Sequence, residues 1–160
     1  MHLVWMVIKL LRLSSSSMSR GEGKLGKRYI LDAGILLLFF AGKEKARVYI
    51  DKAYSEEAKV FMCEVNVAEF IYNYAKIFGW ESTKVKHDLL RNSPIEIIGV
   101  SEDLTLEASK LKLKHYDILS LADCYLIAVA KKLRAVIVTT DSMIKEVKEM
   151  PTILLKMEQT

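Results

Sequence analysis

The sequence predicts an α/β protein built on a mostly parallel sheet of about five strands, with helices covering both faces. Three observations predict it. Short apolar runs alternate with longer stretches of helical period from residue 28 onward, and strands separated by helices make right-handed crossovers into a parallel sheet. Each run is nearly continuous in apolar residues, as expected of strands buried on both faces. The chain has 160 residues, 51% of them hydrophobic and 28% charged, which suits one full globular core and is short for two.

The elements follow in order. Residues 29–31 form a short buried strand, and residues 33–41 (AGILLLFFA) an apolar, buried helix stopped by Gly42. Residues 44–58 carry Val48, Ile50, Tyr54 and Ala58 among charges, the pattern of a surface helix. Residues 59–63 (KVFMC) make the second strand. Asn66 is placed to cap a helix running to about Phe78, where Gly79 ends it. A polar-faced helix over residues 81–92 closes at Asn92-Ser93-Pro94, and residues 96–100 (EIIGV) are the third strand. Ser101 opens a helix with Leu104, Ala108, Leu111 and Leu113. Ser120 caps the next, whose apolar face includes Ala122, Leu126, Ala130 and Leu133. Residues 135–138 are a β-branched fourth strand. A short helix over residues 142–149 ends before Pro151, and residues 153–155 are the last strand.

The formal charge of +4 permits nucleic-acid binding without demonstrating it. Cys63 and Cys124, the only cysteines, stand in apolar sequence and read as small buried hydrophobes suited to a reducing cytoplasm. No CxxC occurs, and the three histidines are scattered, so a zinc site is not indicated. Residues 1–27 read as an N-terminal extension or flexible lead-in, with the domain occupying residues 28–160. The apolar stretch LVWMVIKLLRL at residues 3–13 is interrupted by Lys9 and Arg12 and is too short to cross a bilayer. Its cations lie inside it and a serine run follows, which is not the layout of a signal peptide. Met18 is a candidate for the true start. The expectation is a cytoplasmic protein with no membrane association.

Four acids stand where apolar runs end or where helices begin: Asp32, Glu69, Asp123 and Asp141. Carboxylates seated against core elements need partners or a cation, since desolvating them alone is costly. If the four converge, repulsion raises their pKa values unless a hard divalent ion holds them ionised. Helix capping is the plainer alternative for three of them. Asn66 and Glu69 have the N-cap and N3 spacing of a capping box, Ser120 and Asp123 have the same spacing, and Asp141 or Thr140 is a candidate N-cap. Asp32 is hardest to assign to capping alone, because it separates a buried strand from a strongly apolar helix. Thr139 and Asn66 are secondary candidates for holding a ligand or a water beside the acids. Glu64, Asp103 and Asp117 read as solvated or capping groups. Lys24, Lys27, Arg28, Lys43, Lys45, Arg47, Lys112, Lys114 and His115 are available for phosphate contacts. There is no GxxxxGK[ST] or GxGxxG loop and no GxSxG elbow.

The motifs Tyr29-Ile30-Leu31-Asp32-Ala33, Val67-Ala68-Glu69-Phe70, Leu119-Ser120-Leu121-Ala122-Asp123-Cys124 and Ile137-Val138-Thr139-Thr140-Asp141, in this order and spacing, resemble the PIN-domain family, most closely its VapC-type toxin ribonucleases. The resemblance covers residues 28–157. It implies a three-layer α/β/α sandwich and a metal-dependent endoribonuclease in which Asp32, Glu69, Asp123 and Asp141 bind one or two Mg²⁺ or Mn²⁺ ions, with Thr139 at a matching polar position. It further implies an RNA substrate, a small antitoxin partner and a homodimer. Two departures stand out: the N-terminal 27 residues have no counterpart, and Ala33-Gly34 replaces the Thr-Ser or Ala-Ser usual after the first Asp. A catalytically inactive PIN-like module that binds RNA or protein, and an RNA-processing nuclease that is not a toxin, are the competing readings.

Overall fold

The computed structural model describes residues 26–156, so residues 1–25 of the expected lead-in over 1–27, with Lys24 among them, lie outside the described residues, while Lys27 at its end already belongs to the first strand. The elements, in chain order, are β1 (Lys27–Leu31), α1 (Ala33–Phe40), α2 (Glu44–Tyr54), β2 (Ala58–Cys63), α3 (Glu64–Phe78), α4 (Trp80–Arg91), β3 (Glu96–Ile98), α5 (Glu102–Lys114), α6 (Leu121–Leu133), β4 (Val136–Thr139), α7 (Ser142–Glu146) and β5 (Thr152–Leu154). All five strands are parallel, in the order β3-β2-β1-β4-β5.

Alternation along the strands builds two cores, one on each face of the sheet. Tyr29 and Leu31 of β1, Val60 and Met62 of β2 and Val138 of β4 pack against α1, α2 and α3. Ile30, Phe61, Cys63 and Ile137 point the other way, against α5, α6 and α7. The result is the three-layer α/β/α arrangement. Both cysteines are buried and free. On the first face Phe70 is the largest fully buried side chain, with Phe40 stacked on it and Tyr74 tilted against it, each at 5.6 Å between ring centroids.

Boundaries shift where tertiary packing competes with local signals. Helix α2 ends at Tyr54, and Ala58 belongs to β2 rather than to the helix. Strand β3 stops at Ile98, two residues short of the expected end. The junction between β2 and α3 needs the largest revision. Helix α3 begins directly after Cys63, so Asn66 is its third residue and not its cap, and Glu69 lies beyond the capping position. Glu64 in the first turn complements the helix dipole and is gripped by the Arg91 guanidinium from α4. Gly79 joins α3 to α4 at φ 80°, a backbone angle that disfavours residues with a Cβ. Among the described residues, no helix is long and apolar enough to cross a membrane.

Candidate functional site

From β1 the sheet is extended to one side by β2 and β3 and to the other by β4 and β5. A reversal of this kind leaves a crevice beyond the carboxyl ends of the central strands. β1 and β4 meet there, and Asp32 and Asp141 follow them.

Asp32 is the N-cap of α1. Its backbone N–H donates to the Val138 carbonyl at 3.0 Å, locking the end of β1 to β4. Oδ1 accepts from the Ala33 N–H at 2.7 Å, and Oδ2 accepts from the Thr139 hydroxyl at 2.6 Å. The carboxyl is 7% exposed. Burial, above all, pushes its pKa up to about 6; the charges of Glu69 and Asp123 add to the rise, while the Thr139 and Ala33 hydrogen bonds oppose it. Glu69 is half-buried on α3 and also shifts upward. Burial is the first cause, then the charge of Asp123, opposed by a hydrogen bond from the Asn66 side chain, with Asp141 adding to the rise.

Asp123 is buried at the start of α6. It completes the capping box, its Oδ2 accepting from the Ser120 N–H at 2.7 Å and its own N–H donating to the Ser120 hydroxyl at 3.2 Å. Capping and membership of the acidic group are therefore not alternatives, because one carboxylate does both. Asp141 caps α7, its Oδ1 accepting from the Met143 N–H at 2.8 Å. The fully buried Thr139 hydroxyl joins two of the acids, since it donates to Asp32 and accepts from the Asp141 N–H at 3.0 Å.

The four acids thus share one electrostatic environment, and Glu64, Asp103 and Asp117 do not enter it. Glu64 is paired with Arg91, Asp103 with Lys132 at 2.8 Å, and Asp117 is exposed. Several of the basic candidates have structural duties. Arg28 donates to the Leu133 carbonyl, Lys112 to the Tyr116 and Leu119 carbonyls, and Lys114 and His115 both bond Glu149. Two recesses of about 410 Å³ lie at the amino edge of the sheet, and neither is lined by any of the four acids.

Among the described residues, no group of three or more Asp, Glu, His or Cys closes around a single cation position. The donor set nevertheless fits a hard divalent ion. It is all oxygen, Asp32 and Glu69 resist ionisation because of burial and the charges of neighbouring acids, and Asp123 and Asp141 each commit one oxygen to capping.

One feature of the crevice was not anticipated from the sequence. A Cβ at Gly34 would stand 2.3 Å from the Thr140 hydroxyl oxygen. The Thr140 side chain fills the space where a residue-34 side chain would start, so glycine lets the end of β4 close onto α1. The signal was present as the unusual Ala33-Gly34 pair, but only the fold shows what lies opposite.

Two outcomes follow for the metal-free protein. Asp32 has a folded pKa of about 6 against an ordinary 3.8, so the folded state keeps a proton that the unfolded chain releases between those values. Stability from this group is complete below the unfolded pKa and is lost as pH rises through about 6, amounting to on the order of 3 kcal/mol by pH 7. Asp32→Asn should therefore raise urea stability at pH 7 and flatten its decline from pH 5; an unchanged pH slope would contradict this. Gly34→Ala should destabilise by about 1–3 kcal/mol through overpacking, and Gly34→Ala with Thr140→Ala should recover most of it in a double-mutant cycle.

Residues 29–150 match the PIN domain family. No curated protein matches the chain in sequence. Solved structures similar in fold include VapBC2 from Rickettsia felis bound to a promoter DNA fragment, at 18% identity and TM-score 0.67, covering 79% of this chain and 98% of the other. A toxin–antitoxin complex from Klebsiella pneumoniae shares 16% identity at TM-score 0.61, covering 81% and 99%. The VapC20 toxin from Mycobacterium tuberculosis, which cleaves the sarcin–ricin loop, shares 11% at TM-score 0.62, covering 75% and 95%. With the family match spanning most of the chain and the parallel sheet in place, the protein belongs to the PIN domain family.

Proposed function

We propose that the chain is a divalent-metal-dependent endoribonuclease of the VapC type, acting as the toxin of a toxin–antitoxin pair. The observation that carries the proposal is the upward shift of the Asp32 and Glu69 carboxyls beyond the central strands, caused first by burial and then by the charges of neighbouring acids, Glu69 and Asp123 on Asp32, and Asp123 and Asp141 on Glu69. A structural role does not call for two buried or half-buried carboxyls hindered in their ionisation by neighbouring acids, whereas a cation makes the ionised forms compatible.

Asp32, Glu69, Asp123 and Asp141 would hold one or two Mg²⁺ or Mn²⁺ ions. When bound, such an ion lowers the pKa of a water and stabilises the oxygen leaving an RNA phosphodiester. The chain's own contribution is orientation. Ala33 and Thr139 fix both oxygens of Asp32, the Ser120 capping box fixes Asp123, and Thr139 sets the turn into Asp141. Raised carboxyl pKa values make cation binding a proton-releasing event, so affinity rises with pH through the range near 6.

Support for the toxin reading comes from neighbours that are toxin–antitoxin complexes and from the M. tuberculosis neighbour that cleaves the sarcin–ricin loop. A small antitoxin and a second copy of the chain are the proposed protein partners. The hairpin of α3 and α4 exposes Tyr72, Ile77, Phe78, Trp80 and Val85, an apolar concentration that suits a protein-covered surface.

Purified protein should cut single-stranded RNA in the presence of Mn²⁺ or Mg²⁺ and stop when EDTA is added. Folded Asp123→Asn should lose at least about 100-fold in rate, the scale of removing a preorganised charge from an active site. Equal cleavage by the variant, or cleavage indifferent to EDTA, would remove the catalytic assignment.

A further inference from the structure

Asn66 occupies the third position of α3 and is fully buried. Its inward neighbours on the same helix, Val67, Phe70 and Tyr74, serve the apolar core. Leucine has the same number of side-chain heavy atoms and would bring no polar group to that company. Instead the amide Nδ2 donates to the Ala122 carbonyl at 3.4 Å, one residue before Asp123. The same side chain favours the ionised Glu69 carboxylate, three residues along α3, and so opposes part of its upward shift. Its Oδ1 is the only buried side-chain nitrogen or oxygen among the described residues that has no hydrogen-bond partner. Buried acceptors are rarely left unpaired, because the lost hydration is not recovered. The position therefore keeps a group that packing alone disfavours, and its donor is the part in use.

We propose that Asn66 is a positioning residue for the acidic site: its amide bridges α3 to the first turn of α6 and so holds Glu69 in register with Asp123. The role rests on the reading of these acids as cation ligands. It accounts for the displacement of the helix start, by three residues, from the cap expected at Asn66 to Cys63. Moving the helix start to Glu64 turns Asn66 inward, toward α6, and puts Glu69 on the face that looks at Asp123.

The test measures Mn²⁺ affinity by isothermal titration, alongside thermal unfolding, for wild type and three variants. Asn66→Leu keeps the bulk and removes the amide. Asn66→Ala removes both, and serves alone if the leucine variant does not fold. Val67→Ala loosens the same turn of the core without touching the amide. Both Asn66 variants are expected to bind Mn²⁺ about 10- to 100-fold more weakly, the usual effect of losing an outer-shell partner. Val67→Ala is expected to lower the melting temperature while leaving affinity within about twofold. Wild-type affinity in the Asn66 variants, or an equal loss in Val67→Ala, would overturn the positioning role alone. No Mn²⁺ binding to wild type would overturn the proposed function and this role with it.

Discussion

Asp32 is caught between the burial that fixes its geometry and the charge its position demands. It ends the central strand, caps the apolar α1 and sits almost out of water, with Thr139 and Ala33 holding one oxygen each. Glu69 and Asp123 press on it electrostatically, and Glu69 feels Asp123 and Asp141 in turn. Backbone topology enforces this crowding. β1 and β4 are neighbours, α3 and α6 pack across the two faces near their carboxyl ends, and each element delivers one acid. The surrounding hydrogen bonds stiffen the acids without neutralising them, so the repulsion persists in this structure and is what the proposed cation would relieve. Stability is given up at this one crevice and recovered in the two cores on either side of the sheet.

Much of this was legible in the sequence because the strong signals were local and periodic. Parallel strands buried on both faces read as continuous apolar runs, and β1, β2 and β4 were found that way. Ser120 and Asp123 gave their capping box through spacing alone, and it is present. Where local and tertiary signals conflicted, tertiary packing won. Asn66-Val67-Ala68-Glu69 has a capping-box spacing, yet Asn66 is more useful between α3 and α6 than at a solvated helix end, and Arg91 anchors the earlier start at Glu64. Strand ends at Ile98 and Leu154 depend on how far the neighbouring strand extends, which no local pattern encodes.

The apposition of Gly34 and Thr140 belongs to a different class of information. It joins residues more than a hundred positions apart, and its only trace in one sequence is a glycine near the start of an apolar helix. A glycine there weakens helix propensity, which reads as a defect until the opposing side chain is seen at 2.3 Å from the missing Cβ. The basic residues show the reverse. Arg28, Lys112 and Lys114 looked available for phosphate contact, but they hold a carbonyl, a loop and a glutamate in place. A formal charge of +4 is thus a poor guide to which cations face a polyanion.

Anomalous diffraction from crystals grown with saturating Mn²⁺ addresses the central claim most directly, because it locates the ion independently of activity. One or two manganese peaks within bonding distance of oxygens from Asp32, Glu69, Asp123 and Asp141 is the expected result, with the side chains drawn closer together than in the metal-free protein. A crevice without manganese under those conditions, or manganese bound only elsewhere, would contradict the account.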